Sequence, residues 1–304
     1  MAEAWEIVVA AELEGERIDR FLRHAGRAGS RKALTEQLEA GVIRVNGARI
    51  KKGHRLRSGD VVSGPALQTG GALPDPEIPL DLLYEDAALV VVNKAAGMPS
   101  HPIRAGERGT LASALVARFP EMAGIGYRPL EPGILHRLDT QTSGVLLAAR
   151  TARAFRELSL AHKRGELDKR YLALCSGQLQ APQRVEAYLA ADRKRVRVSD
   201  EMIEGSKPIE TDIVSAKSYG EMSLVEVRVP FASRHQVRAQ LAALGHPIAG
   251  DTLYGGVELP GLTRHFLHAS EIEFPHPAGR ERVHVKAELP ADLQAALETA
   301  RQKK

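Results

Sequence analysis

The chain has 304 residues, a formal net charge of +4 and a single cysteine. Because this length exceeds what one hydrophobic core usually holds, we expect two domains. One cysteine rules out a disulfide within the chain and most cysteine-based zinc motifs, and the apolar run before Cys175 predicts a buried strand residue. No apolar run is long enough to span a bilayer, and Met1–Ala10 contains two Glu but no Lys or Arg. We therefore expect neither a signal peptide nor an anchor, and a cytoplasmic protein.

The positive charge is concentrated near the N-terminus. Between Gly15 and Gly64, a stretch we call the first module, there are 12 Lys or Arg and 5 Asp or Glu. The first module thus carries +7, and the remaining residues together carry −3. A basic surface on one small module is typical of a protein that binds a phosphate backbone. The charge distribution therefore indicates a nucleic-acid partner for the first module.

The first module has a readable pattern of helices and strands. The apolar residues of Ile18–Ala25 have the spacing of a short amphipathic helix, and Ser30 can cap a second helix that runs to Ala40. Asn46–Gly47 lies between two apolar runs and is a strong signal for a two-residue hairpin. After a turn, Val61–Val62 predicts an edge strand. The module should therefore be a compact mixture of two helices and a small sheet.

A change of composition separates the first module from the rest of the chain. Residues 65–79 contain several Gly and Pro and few charges, which predicts a linker. Residues 80–295 then form the second, larger domain. A linker of this kind would let the first module hold one part of a nucleic acid while the second domain contacts another.

The segment from His136 to Leu147 is a short polar loop followed by an apolar run. Val145–Ala149 predicts a buried strand, so Asp139 should lie at the edge of a rigid sheet, where loop residues often carry function. An Asp this close before Gly144 can also simply bond its own backbone in a turn. Further segments decide between these two interpretations.

Three other segments combine polar residues with apolar runs, in this order along the chain: Tyr84–Pro102, Lys169–Leu174 and Arg234–Gly255. In the third segment the spacing of Val237, Leu241 and Leu244 predicts one apolar helix face, and Gly245 ends the helix. Arg238 follows Val237 and should lie near the edge of that face, where its guanidinium can reach a carboxylate beneath.

The segment His136–Gly144 reads His-Arg-Leu-Asp, two residues and Thr-Ser-Gly, and it resembles the signature of the RluA-type pseudouridine synthases. The other three segments resemble the same family in the same order. The resemblance implies that Asp139 is the catalytic residue, that Tyr171 lies against the target base and that Arg238 pairs with Asp139. It implies an α+β fold, with a catalytic domain built on a mixed, mainly antiparallel sheet with flanking helices, plus a small N-terminal α/β RNA-binding module.

The family as a class needs no cofactor, and the resemblance implies none here. In agreement, the sequence has no glycine-rich phosphate loop and no pair of histidines with metal-binding spacing, so no metal is expected. Two positions depart from the family pattern. Ala95 stands where proline usually follows Lys94, so this loop is expected to be less stiff. Phe231–Ser233 stands where the family usually reads Thr-Gly-Arg, which leaves the role of the missing arginine open but not that of Arg238.

The first module resembles the S4-type RNA-binding domain, down to Arg17–Leu22 and Val45–Gly47. We expect phosphate contacts from basic residues near the start of its second helix and, as second choices, after its hairpin: Arg27, Arg31 and Lys32, then Lys51, Lys52 and Arg55. For each of these residues, ordinary solvated charge is an equally good explanation. In the second domain, Arg137 and the basic stretch Arg193–Arg197 are further candidates for RNA contact.

The implied reaction breaks the N-glycosidic bond of a uridine, turns the uracil and rejoins it to the sugar through carbon five. A single carboxylate such as Asp139 can serve by forming a covalent adduct or by taking a sugar proton, and both routes stay open. Arg238 would keep that carboxylate ionised. Tyr171 can stack on the uracil and its hydroxyl can remove the carbon-five proton, while Arg137 can help the nucleotide to leave its stack.

Two other protein classes share part of these features. A glycosidase also places an Asp at a sugar, but it needs a second carboxylate, which the motif around Asp139 lacks. A non-catalytic RNA-binding or ribosome-assembly protein needs the first module but has no use for Asp139, Tyr171 and Arg238 together. The expected partner is a structured RNA, in first place large-subunit ribosomal RNA and alternatively transfer RNA. We expect a monomer without membrane contact.

Overall fold

The computed structural model describes residues 5–25, 34–35, 38–64, 71–192, 194–279 and 281–302. The chain divides between Gly71 and Ala72 into two compact units, each with its own hydrophobic core. No helix in these ranges is both long and apolar enough to cross a membrane. Part of the predicted linker, residues 65–70, lies outside the described residues, and residues 71–81 contain neither helix nor strand.

The first unit is built on a small antiparallel sheet. Its elements are β1 (Trp5–Val8), a 3-10 turn (Ala11–Leu13), α1 (Ile18–His24), β2 (Arg44–Val45), β3 (Ala48–Arg49) and β4 (Val61–Gly64). The strand order is β1-β4-β2-β3. Ile18, Phe21 and Leu22 on α1 are buried in one cluster with Val45 and Val62 of the sheet. The predicted first helix is therefore confirmed, and so is its apolar face at these three residues, whereas Ala25 follows the helix and is exposed.

The hairpin predicted at Asn46–Gly47 is confirmed. Both residues have positive φ, 50° and 77°, which is the conformation of a type I′ turn. The Asn46 side chain also closes the sheet, because its Nδ2 donates to Asp60 Oδ1 (2.8 Å) and its Oδ1 accepts from the Val61 amide (2.8 Å). One asparagine thus supplies both the left-handed turn residue and a link to β4.

Two other expectations for the first module have different outcomes. The segment Val61–Val62 is a strand, but the prediction of an edge strand is wrong: β4 lies inside the sheet because β1 pairs with its outer side. No local pattern in the sequence identifies the partner of the strand Trp5–Val8, because that partner lies more than fifty residues away in the chain. Most of the predicted second helix, including the proposed cap Ser30, lies outside the described residues, and within it Leu34 and Leu38 are buried.

The second unit contains the large sheet and four helices among its described residues. Its helices are α2 (Leu111–Arg118), α3 (Ala152–Lys163), α4 (Gln236–Ala243) and α5 (Ala291–Gln302). Its strands are β5 (Leu82–Glu85), β6 (Leu89–Lys94), β7 (Ser143–Ala149), β8 (Asp168–Ser176), β9 (Gln183–Ala191), β10 (Val196–Ser199), β11 (Ser206–Tyr219), β12 (Met222–Arg228), β13 (Leu267–Pro275) and β14 (Arg282–Lys286). Short 3-10 turns lie at Pro120–Met122 and Thr252–Tyr254.

The ten strands form one sheet in the order β10-β9-β11-β12-β8-β13-β7-β6-β5, with β14 attached to β13. Every pairing is antiparallel except that of β13 with β7, which is parallel. This is the predicted α+β fold with a mixed, mainly antiparallel sheet. Its centre is apolar, since all seven residues of β7 are buried, and Cys175 lies buried in β8 as expected.

The helix α4 confirms the predicted helix but corrects its apolar face. Val237 and Leu241 are buried, whereas Leu244 follows the helix and is partly exposed. The helix is covered on several sides, because Gln236 and Gln240 are also buried and bond to Thr211. A three-residue apolar stripe therefore describes this helix poorly, since polar side chains anchor it to β11.

The parallel contact between β7 and β13 requires a glycine. Gly144 has φ +115°, and a Cβ at this position would lie 2.1 Å from the Ala269 carbonyl oxygen. The obstacle is backbone of the neighbouring strand, so it cannot turn away as a flexible side chain could. Gly144 is the second residue of the strand that follows Asp139, and its close packing fixes where the preceding loop ends.

We expect Gly144→Ala to lower the free energy of unfolding by about 3 kcal/mol or more, because it adds a backbone clash to an unfavourable φ. Gly279→Ala is the control, since no atom lies closer than 4.0 Å to its Cβ position and its φ is not in the left-handed region. The control should change stability by no more than about 0.5 kcal/mol. Urea unfolding of the two variants measures the difference, and equal stabilities would contradict the packing argument.

Candidate active site

Asp139 lies in a tight turn immediately before β7. The Thr142 amide donates to the Asp139 carbonyl oxygen (3.0 Å), which closes the turn. We call residues 139–142 the Asp139 turn. The Asp139 side chain is 24% exposed, so its carboxylate is within reach of a ligand while its backbone is anchored to a buried strand. This placement at the edge of the sheet confirms the prediction from the sequence.

Arg238 on α4 bridges Asp139 and a second carboxylate. Its Nη1 donates to Asp139 Oδ2 at 2.9 Å, while its Nε and Nη2 donate to the two oxygens of Asp251 at 2.7 and 2.8 Å. The Arg238 side chain is 8% exposed and that of Asp251 1%. Burial alone would lower the pKa of Arg238, but hydrogen bonds and charge from Asp251 and Asp139 raise it above its ordinary value. The predicted reach of Arg238 to Asp139 is confirmed.

Asp251 holds the guanidinium in one orientation. A bidentate pair uses two parallel N–H donors, so rotation of the Arg238 head is restricted and the remaining Nη1 donor points at Asp139. The ring of Tyr254 adds a cation–π contact, with its centroid 5.2 Å from Arg238 Cζ. The sequence segment Arg234–Gly255 contains all three residues, but it did not indicate that Asp251 carries the buried pair.

His235 stands at the start of α4 and faces the same carboxylate. It has φ +55°, and its Nε2 lies 3.7 Å from Asp139 Oδ2. Its Nδ1 is 3.0 Å from the Tyr254 hydroxyl, which in turn accepts from the Val196 amide (2.9 Å). Burial lowers the pKa of His235, so its imidazole is neutral at neutral pH. A Tyr254 hydroxyl that donates to Nδ1 leaves the histidine proton on Nε2, toward Asp139.

Buried Lys94 supports the Asp139 turn from β6. Its Nζ donates to the carbonyl oxygens of Ala95 and Met98, both at 2.8 Å, and of Thr140 at 3.2 Å. Three carbonyl acceptors match the three N–H donors of an ammonium group. Burial lowers the pKa of Lys94 to about 7. The Gly97 amide also donates to the Thr140 carbonyl (2.8 Å), so the turn is tied to the loop after β6.

Arg264 and His265 hold the other half of the turn. Arg264 Nη1 donates to the Gln141 carbonyl oxygen (3.0 Å), while its Nε and Nη2 bind Asp292 on α5 (2.6 and 3.1 Å). His265 Nε2 is 2.8 Å from Thr142 Oγ1, and burial lowers the pKa of His265 to about 4, so the ring is neutral. The turn is therefore anchored to distant parts of the chain at successive residues.

Tyr171 on β8 lies buried beside Asp139. It shares one cleft with the Asp139 turn and the start of α4, lined by Arg137, Leu138, Asp139, Thr142, Tyr171, Ala232, Ser233, His235, Gln236, Val237, Arg238 and Leu267. Burial and the negative charge of Asp139 raise the pKa of the Tyr171 phenol, so the hydroxyl is protonated at neutral pH. The three residues predicted for the site, Asp139, Tyr171 and Arg238, thus meet in one place.

The predicted RNA contacts are only partly placed. Arg137 is half exposed at the cleft, and its Nη1 lies 2.9 Å from His101 Nε2. Lys51 and Lys52 are exposed in the first unit, whereas the first-choice contacts lie outside the described residues: Arg27, Arg31 and Lys32. Arg193 of the second basic stretch also lies outside them, and the rest leads into β10. In the described ranges no three His, Cys, Asp or Glu side chains are placed to share a metal ion.

Sequence reasoning overlooked the residues that support the site. Asp251, His235 and Lys94 lay inside the recognised segments and carried a weak signal, since each is a polar residue within an apolar context. Arg264 and His265 belong to no segment that the sequence singled out. Their roles depend on contacts with residues more than a hundred positions away, which no local pattern reveals.

Comparison with known proteins identifies the family. The model of the RNA pseudouridylate synthases matches residues 88–243, and that of the S4 domain matches residues 16–62. Ribosomal large subunit pseudouridine synthase D of Xylella fastidiosa is 34% identical to the chain, covering 95% of it and 90% of the relative. The chain belongs to the RNA pseudouridylate synthase family.

Other proteins that are similar to the chain carry pseudouridine synthase names as well. Ribosomal large subunit pseudouridine synthase C of Salmonella typhi is 34% identical, covering 98% of this chain and 97% of the relative. The solved structure of Human RNA Pseudouridylate Synthase Domain Containing 1 is similar at 28% identity and a TM-score of 0.54, covering 72% of this chain and 87% of its own. The synthase is therefore an isomerase that acts on RNA, with an N-terminal S4 domain as its RNA-binding module.

We expect Asp251→Asn to destabilise the synthase by about 3 kcal/mol, because it removes one charge from a buried, hydrogen-bonded pair. Glu226→Gln is the matched control, since Glu226 pairs with Arg170 at the same distance of 2.7 Å but on a partly exposed surface. Such a surface pair should contribute at most about 1 kcal/mol. Urea unfolding compares the two variants, and a loss of stability no greater than in the control would refute the anchoring role of Asp251.

Proposed function

We propose that this synthase converts uridine to pseudouridine in large-subunit ribosomal RNA, with Asp139 as the catalytic carboxylate. The observation that carries the site assignment is the contact of Asp139 with Arg238, whose other donors are engaged by Asp251. The RNA target is supported by the names of the Xylella and Salmonella relatives and by their coverage of nearly the whole chain, S4 domain included. A ribosomal RNA target goes with a cytoplasmic location, and we expect a monomer.

The cleft supplies one ionised carboxylate for the reaction. In pseudouridine formation the bond from C1′ to N1 breaks, the uracil turns, a bond from C1′ to C5 forms and the C5 proton is lost. Asp139 carries a negative charge beside the cationic Arg238, in a cleft partly closed to water. This carboxylate can attack C1′ or take a sugar proton, and the geometry serves either route. Because Asp251 balances the buried charge of Arg238, the guanidinium is stable in its place before RNA binds.

We assign two roles to Tyr171: contact with the uracil and transfer of its C5 proton. Its ring is buried beside Asp139, where it can lie against a uracil that has left its stack. Its raised pKa means that the phenol enters the reaction protonated. For Tyr171 to accept the C5 proton, its own proton must first pass to a base, and the Asp139 carboxylate in the same cleft can take it only when it is neither bound to the sugar nor already protonated.

Arg137 lies at the rim of the cleft and can help to extrude the target nucleotide. The side chain is half exposed and carries its charge on the residue two before Asp139. A cation at this place can contact the phosphate of a flipped nucleotide or fill the space that the base leaves. The basic residues of the S4 domain, including the exposed Lys51 and Lys52, would contact a different part of the RNA backbone.

We expect Asp139→Asn to abolish isomerisation while RNA binding stays within about twofold, because the fold and the cationic surfaces are retained. The assay is tritium release from RNA that carries [5-³H]uridine, with protein-free large-subunit ribosomal RNA and transfer RNA compared. Asp200→Asn, an exposed carboxylate, is the control and should turn over normally.

Each outcome decides one part of the proposal. Release from ribosomal RNA by the wild type alone supports both the reaction and the target. Release from transfer RNA instead refutes the target, and turnover by Asp139→Asn refutes the catalytic residue. Free uracil as a product would indicate glycosidic hydrolysis, and binding without release would favour a non-catalytic role.

We expect Tyr171→Phe to bind RNA normally and to release tritium at least about 100-fold more slowly, because the ring is retained and the proton-transfer group is lost. Single-turnover tritium release at saturating enzyme measures this step separately from binding. Tyr171→Leu should also weaken binding, since it removes the ring. Wild-type rates for Tyr171→Phe would limit the role of Tyr171 to contact with the base.

A further inference from the structure

Phe231 is an exposed aromatic residue beside the cleft. The residue is 54% exposed, although a phenylalanine is usually buried. The next two residues, Ala232 and Ser233, line the cleft together with Asp139 and Tyr171. Phe231 is therefore adjacent in the chain to residues of the cleft, and its ring is accessible to solvent.

The ring of Phe231 packs against His162. It stacks on His162 at the end of α3, with ring centroids 6.1 Å apart and an angle of 17° between the planes. His162 Nε2 is in turn 3.3 Å from the Nζ of buried Lys169 on β8. Lys169 precedes Tyr171 by two residues, so both side chains leave β8 on the same face. Phe231 is thus connected by direct contacts to the face of the sheet that carries Tyr171.

The charge state of His162 is compatible with stacking on Phe231. Burial lowers the pKa of His162 to about 4, so at neutral pH its imidazole is uncharged and can accept a hydrogen bond from Lys169. Gly165 lies close to the tip of the ring, since a Cβ there would be 3.4 Å from the Phe231 Cζ. One face of the ring is therefore supported by His162, while more than half of the residue's surface stays open to solvent.

A supported, exposed ring beside a site for a flipped nucleotide matches how proteins bind unpaired bases. Aromatic faces stack on bases of single-stranded RNA, and nearby cations contact the phosphates. Lys163, next to His162, is exposed and provides such a cation. We propose that Phe231 is a stacking platform for an unpaired nucleobase adjacent to the target uridine. This inference rests on the proposed function, since it assumes that RNA enters the cleft beside Asp139.

Stacking on a neighbouring base holds the RNA equally in the ground and transition states. Its loss should therefore raise KM and leave kcat unchanged. Removal of one base–aromatic stack typically weakens binding about 5- to 150-fold. We expect Phe231→Leu to raise KM about tenfold, with kcat within twofold of the wild type, because leucine keeps the apolar volume but has no aromatic face. Phe231→Tyr should restore a KM near that of the wild type.

The experiment measures KM and kcat by tritium release from large-subunit ribosomal RNA, for wild type, Phe231→Leu and Phe231→Tyr. Leu160→Ala is the control, since Leu160 on α3 is similarly exposed, at 47%, but has no aromatic ring. Direct binding is measured in parallel with Asp139→Asn protein, with and without Phe231→Leu, by titration of the same RNA. Thermal unfolding of each variant reports whether the substitution changes stability.

The two readouts separate this inference from the proposed function. A tenfold KM effect that tyrosine reverses supports the platform. If no variant turns over ribosomal RNA but Phe231→Leu still weakens RNA binding, the proposed target fails and the platform stands. Equal KM and binding for leucine and wild type overturn the platform, as does a fall in kcat or stability without a change in KM, which would mean a structural role. Absence of any RNA binding by the wild-type protein refutes both.

Discussion

The buried ion pair between Arg238 and Asp251 is the interaction on which the site depends. Both side chains are almost fully buried, and a lone charge at that depth would be costly, so each requires the other. Their bidentate geometry leaves one guanidinium N–H for Asp139. An arginine held only by Asp139 could follow that carboxylate wherever it moved. With Asp251 in place, the position of the Arg238 guanidinium is set by α4 and Asp251 rather than by the Asp139 turn.

The Asp139 turn is held in a complementary way, through its backbone. Lys94 binds the carbonyl of Thr140, and Arg264 binds that of Gln141. These two side chains come from β6 and from the chain before β13, and Arg264 also binds α5 through Asp292. Carbonyl groups in a turn cannot pair within a sheet, so buried side-chain donors satisfy them. The carboxylate therefore projects from a backbone that is fixed on several sides, so its position is set before any ligand binds.

The rim of the cleft is built differently from its centre. At the centre, charges are paired and buried, whereas at the rim Arg137 and Phe231 expose a cation and an aromatic face. Chemistry requires fixed groups, while recognition of a large, charged polymer requires accessible ones. The departure from the family pattern at Phe231–Ser233 falls on this rim. The contacts of the Asp139 carboxylate come instead from His235 and Arg238.

The sequence by itself determined the elements whose signals are local. These include the helix that carries Arg238, the buried strand after Asp139 and the hairpin at Asn46–Gly47, because periodicity and turn chemistry act within a few residues. Family resemblance placed Asp139, Tyr171 and Arg238 in one site. Only the tertiary structure decided which residues support them, among them Asp251, Lys94 and Arg264, and that β4 is internal to its sheet. Lys94, Arg264 and β4 depend on partners distant in the chain, and Asp251, which is 13 residues from Arg238, also lies beyond the reach of a local pattern. These contacts exist only after folding brings the segments together.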